Sequence, residues 1–557
     1  MKYIIGISAY YHDSSVCLFK DGQLIFACEE EKFSGIKHDS SFPQLTLDYI
    51  FKEFQINKKD IEAVCYYENP KLKLERVKKN IRPQILKNLR YSINSYLKIK
   101  SNIRTIHQKL TDLSPNVFYS THHESHLYYS FYTSDFKDAM CVSIDGVGEI
   151  DTISYGLPYK THLKYLSVAQ YPHSLGLYYS AMTAFLGFRP NEGEYKVMGL
   201  SSYGNPDKFI KQVRNLITFE NGKLICNMDV FTWNRSNETM FDELKLSLLL
   251  DTVSRHPDGS IEQDDKDLAA AVQLRYEEIL FKVVGYLNDW YNSPNLCLGG
   301  GCAYNGLANG KITINTTFEH IWIPPAPSDA GSSIGACIHY MVKNGKMKGR
   351  ISKTPFLGPI YENWDIHKVI KGIKNCYKRD SDIDLYRDIA HNLVQGKVVG
   401  WYQGHMEFGA RALGHRSILA NPLLEGMKDR INNVIKRREG FRPFAPMVTK
   451  EKQFDYFEMT DDIPYMNQVV KVKPEYVDIL KAVTHVDGTA RVQTVNANIP
   501  MHNLLLEFEK LTGYPILLNT SFNVKDKTIV RTPQDAIDMF NETDMDILVM
   551  NNYVIYK

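Results

Sequence analysis

Several common sequence features are missing from this chain, and each absence excludes a class of protein. The 557 residues include nine Cys, but these form no CxxC pair, and several lie in apolar runs. We therefore predict buried, reduced thiols instead of a disulfide framework, which is typical of a cytoplasmic protein. No stretch approaches the roughly 18–20 uninterrupted apolar residues of a membrane-spanning helix, so no membrane partner is expected.

The sequence also lacks a large charge excess and an N-terminal targeting signal. The formal net charge is +2, which excludes a polyelectrolyte surface over the whole chain, so DNA is not an expected partner. The first ten residues pass directly into a strand pattern, without the apolar core and cleavage site of a signal peptide. The length predicts two large domains.

The hydrophobic pattern predicts an α/β protein with a duplicated first half. The chain opens with three short strands joined by tight polar turns, over residues 2–8, 16–20 and 23–28. Buried strands then end in glycine turns at 145–149 and 299–301, and a long amphipathic helix is predicted over 266–292. Two such halves fit a duplicated α/β domain. Gly and Pro residues between 344 and 364 predict a linker to a second domain.

Two histidines and two aspartates form a candidate metal site. His122 and His126 are four residues apart, which places both imidazoles on one face of a helix. Asp145 ends a buried strand, and Asp329 precedes small residues that allow close approach. Two His with carboxylates suit iron, zinc or manganese. The alternative is a pair of ordinary surface histidines.

The glycine turns are candidate phosphate-binding elements. Glycine permits positive φ and lets neighbouring backbone N–H groups converge on a phosphate. The turns at 145–149 and 299–301, together with the serine-containing turn at 12–15, form the set expected for a nucleotide cleft between duplicated halves. The alternative is three ordinary tight turns of an α/β fold.

Basic residues near the C-terminal end form a candidate site for a small polyanion. They lie among Gly, Phe and Pro, and are Arg411, Arg416, Lys436, Arg437, Arg438 and Arg442. Guanidinium groups grip phosphate oxygens through two parallel hydrogen bonds, and arginines in such surroundings are less freely solvated than those of a Lys/Glu-rich helix. Arg491 and residues 519–523 add polar groups at predicted strand ends.

Residues 71–109 form a strongly basic segment. It contains twelve Lys or Arg side chains and one acidic residue, Glu75. Apolar residues recur at helical spacing, so a basic helical hairpin or insertion is predicted. Such a segment serves either as an electrostatic surface for RNA or another anion, or as a solvated basic face.

In this order and over this length, the motifs resemble those of O-carbamoyltransferases of the NodU/CmcH type. The matching stretches are residues 11–15 (YHDSS), 36–39 (IKHD), 122–126 (HHESH), 143–146 (SIDG), 172–176 (PHSLG), 194–200 (EYKVMGL), 299–305 (GGGCAYN), 407–409 (EFG), 411–414 (RALG), 442–446 (RPFAP) and 519–523 (NTSFN). The chain departs from the usual family pattern at Ala410, where proline is common, and at His405, where arginine is common.

The resemblance implies an actin-like (ASKHA) domain at 1–350 with the basic helical insertion at about 71–110. It further implies a linker at 351–370 and a YrdC-like α/β domain at 371–557. In such enzymes the C-terminal domain makes carbamoyl-adenylate from carbamoyl phosphate and ATP. The N-terminal domain then transfers the carbamoyl group to a hydroxyl of a small-molecule acceptor, such as a sugar, an antibiotic or another natural product. A homodimer is common in the family.

Site residues are carried over by motif. An iron ion, with zinc or manganese as alternatives, would be bound by His122, His126, Asp145 and Asp329. Carbamoyl phosphate would contact Arg411, Lys436, Arg442, Arg491, Asn519 and Ser521. ATP, with Mg²⁺, would contact Lys37, Asp145, Gly146, Gly300, Gly301 and Asn305. Catalytic roles are predicted for His12, at the acceptor hydroxyl, and for Arg411 and Arg442.

Two other functions compete with this one. The first is tRNA modification of the related threonylcarbamoyl type, which the basic segment favours and the near-neutral overall charge disfavours. The second is a nucleotide-binding regulator without turnover. The expected metal site and His12 support carbamoyl transfer. A metal stabilises the charge that develops in the reaction, and a histidine accepts a proton near neutral pH.

Overall fold

The computed structural model describes residues 2–235, 239–437, 440, 442 and 444–557, with only the backbone given at 77, 79–96, 98 and 99. The chain divides into two compact units. The first contains the residues up to Ala27 together with Ser40–Asn305 and Ile312–Lys353. The second contains Cys28–Asp39, Gly306–Lys311 and Thr354–Lys557. Two short segments of the N-terminal half are therefore grouped with the C-terminal unit.

The first sheet has five strands in the order β3-β2-β1-β4-β5. They are β1 (Tyr3–Ser8), β2 (Ser15–Lys20), β3 (Gln23–Glu29), β4 (Ile61–Tyr66) and β5 (Val117–Tyr119). The β1 strand pairs antiparallel with β2 and parallel with β4, which in turn pairs parallel with β5. Nearly all residues of β1, β2 and β4 are buried, as expected for strands covered on both faces.

The second sheet of the first unit repeats this arrangement. The next strands are β6 (Met140–Ile144), β7 (Asp151–Tyr159), β8 (His162–Gln170), β9 (Ile217–Glu220), β10 (Lys223–Cys226), β11 (Asn295–Gly299) and β12 (His320–Trp322). The sheet order is β12-β11-β6-β7-β8, while β9 and β10 form a separate hairpin. As β1 does with β2 and β4 in the first sheet, β6 pairs antiparallel with β7 and parallel with β11. The same strand order in two sheets confirms the predicted duplication.

The second unit is built on an eight-stranded sheet of order β13-β23-β22-β14-β15-β21-β16-β20, beside a three-stranded sheet β17-β18-β19. The strands are β13 (Cys376–Lys378), β14 (Val399–Tyr402), β15 (Arg416–Ala420), β16 (Ala445–Thr449), β17 (Phe457–Glu458), β18 (Val470–Val472), β19 (Thr489–Ala490), β20 (Gln493–Val495), β21 (Ile516–Ser521), β22 (Ile547–Met550) and β23 (Tyr553–Tyr556). Two separate apolar cores contact this sheet, as expected for a sheet covered by helices on both faces.

The helices of the first unit are Gln44–Glu53, Pro70–Leu113, His122–Thr133, Leu175–Phe185, Glu194–Ser201, Ile210–Val213, Glu243–Leu250, Gln263–Tyr291, Ile312–Asn315 and Asp329–Lys343, with 3₁₀ turns at Lys58–Asp60, Pro206–Lys208 and Gly301–Tyr304. Those of the second unit are Glu31–Ser34, Gly306–Asn309, Asn363–Ile370, Asp382–Val394, Met427–Asp429, Gln453–Tyr456, Pro500–Thr512 and Pro533–Glu542, a π-helix at Arg430–Lys436, and 3₁₀ turns at Lys450–Lys452 and Pro474–Tyr476.

The basic segment is one continuous helix, Pro70–Leu113, and not a hairpin. The segment contains no glycine, the residue that most often permits the sharp reversal between two helices. Among its described apolar side chains, Ile106 and Leu110, near its end, are buried. The predicted linker also differs from expectation, because it includes the helix Asn363–Ile370. Among the described residues, no helix combines the length and the apolar character needed to cross a bilayer.

Candidate metal centre and anion-binding site

The helix His122–Thr133 presents two histidines to one point. It begins after Thr121, whose side chain accepts a hydrogen bond from the backbone N–H of Glu124. This cap sets the first helical residue at His122, so His126 follows one turn later on the same face. Both imidazoles are buried. The local sequence that starts the helix therefore also places the two histidines on one face of it.

Asp145 and Asp329 complete a cluster of four ligand atoms. The Nε2 atoms of His122 and His126 lie 3.1 Å apart, and each lies 3.0 Å from Oδ2 of Asp145. Oδ1 of Asp329 lies 3.5 Å from Nε2 of His122 and 3.7 Å from Nε2 of His126. All four atoms fall within 4.8 Å of one another. Metal–ligand bonds of about 2.0–2.2 Å require separations of this size.

The surroundings of the cluster favour a bound cation. Two carboxylates are buried here, and both oxygens of Asp329 lack a hydrogen-bond partner within the described part of the chain. A buried carboxylate without partners is costly, and a divalent cation compensates two of them. The Nδ1 atom of His126 lies 3.1 Å from Oγ of Ser332, which orients the ring as a second-sphere partner does in metal sites. Ser332 was not predicted, although it lies three residues after Asp329 on the same helix.

The pKa values in the cluster reflect strong mutual coupling. Burial alone would raise the pKa of the Asp145 carboxyl, but hydrogen bonds with His122 and His126 hold it well below its usual range. Burial raises the pKa of Asp329. Burial alone would lower the pKa of His122, but the Asp329 and Asp145 carboxylates raise it to about 9. The group as a whole thus strongly attracts positive charge.

The glycine turn after β11 lies directly against the His₂Asp₂ cluster. Gly300 has φ +90°, and a Cβ atom there would lie 2.2 Å from the Ile144 carbonyl oxygen, so only glycine fits. Its N–H donates to the Pro327 carbonyl at 2.8 Å. A Cβ on Gly301 would lie 3.1 Å from Oδ1 of Asp145. These glycines therefore permit close approach of the turn to β6; their contact with a nucleotide stays a prediction.

The other predicted nucleotide residues lie in different surroundings. The Gly146 N–H donates to Oδ1 of Asp145 at 2.7 Å, which leaves Oδ2 of that carboxylate for the imidazoles. The Asn305 side-chain amide pairs reciprocally with that of Gln273, through two hydrogen bonds of 3.0 Å. Lys37 belongs to the second unit; partial loss of hydration lowers the pKa of its ammonium, although Asp526 and Glu31 oppose this.

His12 lies in the turn between β1 and β2 and is oriented by its neighbour. Its Nδ1 atom lies 3.0 Å from Oδ2 of Asp13, so the imidazole Nε2 remains available for another contact. Burial alone would lower the pKa of His12, but Asp329 and Asp13 raise it to about 10. The sequence reasoning missed Asp13, although its position next to a candidate catalytic histidine is a usable signal.

The predicted basic cluster of the second unit separates into residues of different character. Arg416 is fully buried; it donates to the carbonyls of Gln403 and Gly404 at 2.5 and 3.1 Å and stacks 3.6 Å above the Tyr402 ring. These contacts make it a structural residue. Lys436 is also buried, and its Nζ donates to oxygens of Ser521 and Asn523 at 2.6–3.2 Å. Arg438 lies outside the described residues.

Three predicted phosphate ligands keep partly exposed side chains: Arg411, Arg442 and Arg491. Arg411 lies in the loop between β14 and β15. Asn519, at the end of β21, donates from Nδ2 to the Ala412 carbonyl at 3.1 Å, next to Arg411. Its Oδ1 is buried and accepts no hydrogen bond from the described residues. The structure thus places Asn519 against the backbone next to Arg411, and the contact of either side chain with carbamoyl phosphate stays a prediction.

Comparison with known proteins agrees with this architecture. Residues 3–338 match the family model described as Carbamoyltransferase N-terminus, and residues 390–557 match Carbamoyltransferase C-terminus. An uncharacterised protein of Synechocystis is 38% identical over 100% of this chain and 97% of its own length. The nodulation protein NolNO of Sinorhizobium fredii is 34% identical over 99% of this chain and 80% of its own length.

A solved structure gives a weaker comparison. Component A of (R)-2-hydroxyglutaryl-CoA dehydratase from Acidaminococcus fermentans is 12% identical, covers 62% of this chain and 100% of its own, and aligns with a TM-score of 0.34. The fold assignment therefore rests on the repeated strand order.

The chain consists of two α/β units, and the first unit, with its repeated strand order, carries a buried His₂Asp₂ cluster. The two family models cover most of the chain. The protein belongs to the carbamoyltransferase family. The predictions of family, fold class and enzyme class are confirmed.

Proposed function

We propose that this enzyme is an ATP-dependent O-carbamoyltransferase that works in two steps. In the C-terminal unit, carbamoyl phosphate, water and ATP give carbamoyl-adenylate, inorganic phosphate and pyrophosphate. In the N-terminal unit, a hydroxyl of a small-molecule acceptor attacks the carbamoyl carbon, and AMP leaves. The observation that carries this proposal is the buried His₂Asp₂ cluster within the part of the chain that matches the carbamoyltransferase N-terminus.

The cluster residues would hold a divalent cation, with iron as the expected ion and zinc or manganese as alternatives. Such a cation acts as a Lewis acid toward a phosphoryl or carbonyl oxygen. His122, His126, Asp145 and Asp329 would supply the ligand atoms, and Ser332 would fix the His126 ring through Nδ1. Two imidazoles and two carboxylates form a ligand set that each of these metals accepts.

Carbamoyl phosphate is a small dianion, and the second unit offers cations and amides for it. Arg411, Arg442 and Arg491 would bind its phosphoryl oxygens through charge-assisted hydrogen bonds. Asn519 would use its buried Oδ1 to accept a hydrogen bond from the carbamoyl N–H. Lys436 and Ser521, already hydrogen-bonded to each other, would shape the floor of this site.

His12 would take the proton of the acceptor hydroxyl. Asp13 holds Nδ1, so the transfer would use Nε2. Asp329 and Asp145, two of the carboxylates that raise the pKa of His12, are also those that a bound cation would neutralise. Metal binding is therefore expected to lower this pKa toward the range in which an imidazole accepts a proton.

The test is a reaction with carbamoyl phosphate and ATP in the absence of an acceptor. Pyrophosphate and carbamoyl-AMP, detected by mass spectrometry, are the expected products. Omission of carbamoyl phosphate provides the matched control, because simple ATP hydrolysis would persist without it. Absence of any carbamoyl phosphate-dependent nucleotide product from metal-replete enzyme would reject the proposal.

A second candidate is tRNA modification of the threonylcarbamoyl type, which the long basic helix favours. Binding through this helix would weaken steeply with added salt, because phosphate contacts release counterions. A gel shift with tRNA at two salt concentrations separates the candidates. A salt-sensitive complex would support tRNA modification. Unshifted tRNA at low salt would reject it in favour of transfer to a small-molecule acceptor.

A further inference from the structure

The loop that carries Arg411 is held in shape by one buried carboxylate. Glu407 is 2% exposed and lies in this loop, four residues before Arg411. Its Oε1 atom accepts three backbone hydrogen bonds, from Leu413 at 2.8 Å, His415 at 2.9 Å and Arg416 at 3.1 Å. A single carboxylate oxygen therefore holds the backbone of residues 413–416 close to Glu407. Hydrogen bonds to a charged acceptor are about twice as strong as neutral ones.

The peptide group between Ala412 and Leu413 is hydrogen-bonded at both its N–H and its carbonyl oxygen. Its N–H donates to Glu407, and its carbonyl oxygen accepts from Nδ2 of Asn519 at 3.1 Å. Gln493 connects the two sides, because its Nε2 donates to the Leu413 carbonyl at 2.9 Å while its Oε1 accepts from Asn519 at 2.7 Å. This peptide lies one residue beyond Arg411, so its fixed orientation restricts the stretch of backbone from which the arginine side chain leaves.

The loop is also fixed before Arg411. The Gly409 N–H donates to Oε1 of Glu29 at 2.7 Å, and Gly409 has φ +116°. With Gly409 held on one side and the 412–413 peptide on the other, the backbone at Arg411 has little freedom. Pre-organisation of this kind removes the entropy cost of ordering a cation when the anion binds.

We propose that Glu407 is a positioning residue for carbamoyl phosphate, acting through the 412–413 peptide upon Arg411, with Gln493 as its partner in this network. The inference rests on the proposed function, in which Arg411 binds the phosphoryl group. Glu407 itself contacts backbone and not substrate. Its carboxylate sets where the guanidinium lies before the anion arrives.

The experiment compares Glu407→Gln and Gln493→Met with the wild-type enzyme. The neutral amide of the first variant accepts three N–H groups less well, and the second removes both side-chain hydrogen bonds of Gln493 while keeping its length. We expect KM for carbamoyl phosphate to rise about tenfold in each, the effect of roughly one charge-assisted contact. KM for ATP should change less than twofold. If Glu407 only stabilised the fold, its substitution would lower kcat through loss of folded enzyme. The two KM values would then not respond differently.

Glu507→Gln is the matched control. Glu507 is similarly buried in the same unit, but it pairs with Lys510 and Arg387, away from the network. Its substitution should leave KM for carbamoyl phosphate within twofold of the wild type. An equal rise in this control, or unchanged KM in Glu407→Gln and in Gln493→Met, would overturn the inference. If Glu407→Gln fails to fold, Gln493→Met decides alone.

A double-mutant cycle identifies the route of the effect. The Kd of carbamoyl phosphate is measured by calorimetry without ATP, in Arg411→Ala and in the double variant with Glu407→Gln. If Glu407 acts through Arg411, the second substitution should change Kd less than twofold once Arg411 is absent. A full tenfold effect in that background would refute the route. If Arg411→Ala alone leaves Kd unchanged, the proposed phosphate site itself fails, which is a separate result.

Discussion

The Nε2 atoms of His122 and His126 lie 3.1 Å apart and share one oxygen of Asp145 at 3.0 Å. Two ring nitrogens that face each other need a proton or a cation between them, because two lone pairs repel. The oxygens of Asp329, which accept no hydrogen bond from the described residues, complete the arrangement. This geometry supports a metal centre at the point where the duplicated halves bring a helix and two turns together.

His126→Ala is predicted to lose bound metal. The variant removes one ligand and leaves Asp145 with a single imidazole, so the metal content, measured by mass spectrometry of the purified protein, should fall at least tenfold. His162→Ala, at an exposed histidine of β8, should retain the wild-type content. A full equivalent of metal in His126→Ala would contradict the assignment.

Gly300→Ala is predicted to destabilise the first unit by more than about 2 kcal/mol. The added Cβ would lie 2.2 Å from the Ile144 carbonyl oxygen, and the residue would keep a positive φ. The measurement is urea unfolding followed by circular dichroism. Gly285→Ala is the control, because a Cβ there meets nothing within 4 Å on a helix and should be neutral or stabilising. Equal midpoints for Gly300→Ala and the wild type would refute the steric argument.

Lys436→Met is predicted to destabilise the second unit by about 2–4 kcal/mol. The substitution leaves oxygens of Ser521 and Asn523 without the ammonium that they surround. Thermal or denaturant unfolding of the variant gives the value. Lys471→Met, at an exposed lysine of β18, should change the stability by less than about 0.5 kcal/mol. A change of less than about 0.5 kcal/mol at Lys436 would contradict the structural role of its ammonium.

Glu29 is predicted to make the stability depend on pH. Burial raises the pKa of its carboxyl to about 7, against the opposing effect of Lys32, while Glu31 adds to the rise. A raised folded-state pKa means that the folded chain binds the proton more tightly. The stabilisation is therefore fully present below about pH 4.5 and is lost as the pH rises toward 7. Glu29→Gln should remove this loss and be more stable than the wild type at pH 8.

The quantity to compare is the difference in free energy of unfolding between Glu29→Gln and the wild type at each pH, because the other titrating groups are the same in both proteins. Chemical unfolding at pH 5, 6, 7 and 8 should show a difference that grows up to about pH 7 and is then constant. A difference independent of pH would show that Glu29 is already ionised below pH 5. The Gln side chain retains an oxygen for the Gly409 N–H, so the loop contact survives.

Local pattern was sufficient for the parts of the site that lie within one element. The His122/His126 pair depends only on helical spacing, and the strand–turn–strand opening depends on alternating apolar residues, so both followed from neighbours in the chain. The basic segment was harder: its apolar spacing predicted helix, and only its lack of glycine separates one long helix from a hairpin. Arg416 shows the same limit, because its buried stacking on Tyr402 depends on a strand pairing.

By itself, the sequence determined the class of protein, the duplicated α/β pattern and the identity of the candidate metal ligands, because helix periodicity, strand alternation and motif order are local properties. Only the tertiary structure decided which polar groups meet. Glu407 lies in the Arg411 loop and Asn519 more than a hundred residues later, yet they hold one peptide group from its two sides. Such contacts depend on strand register and loop path, which are set by the packing of the whole unit and not by any single segment.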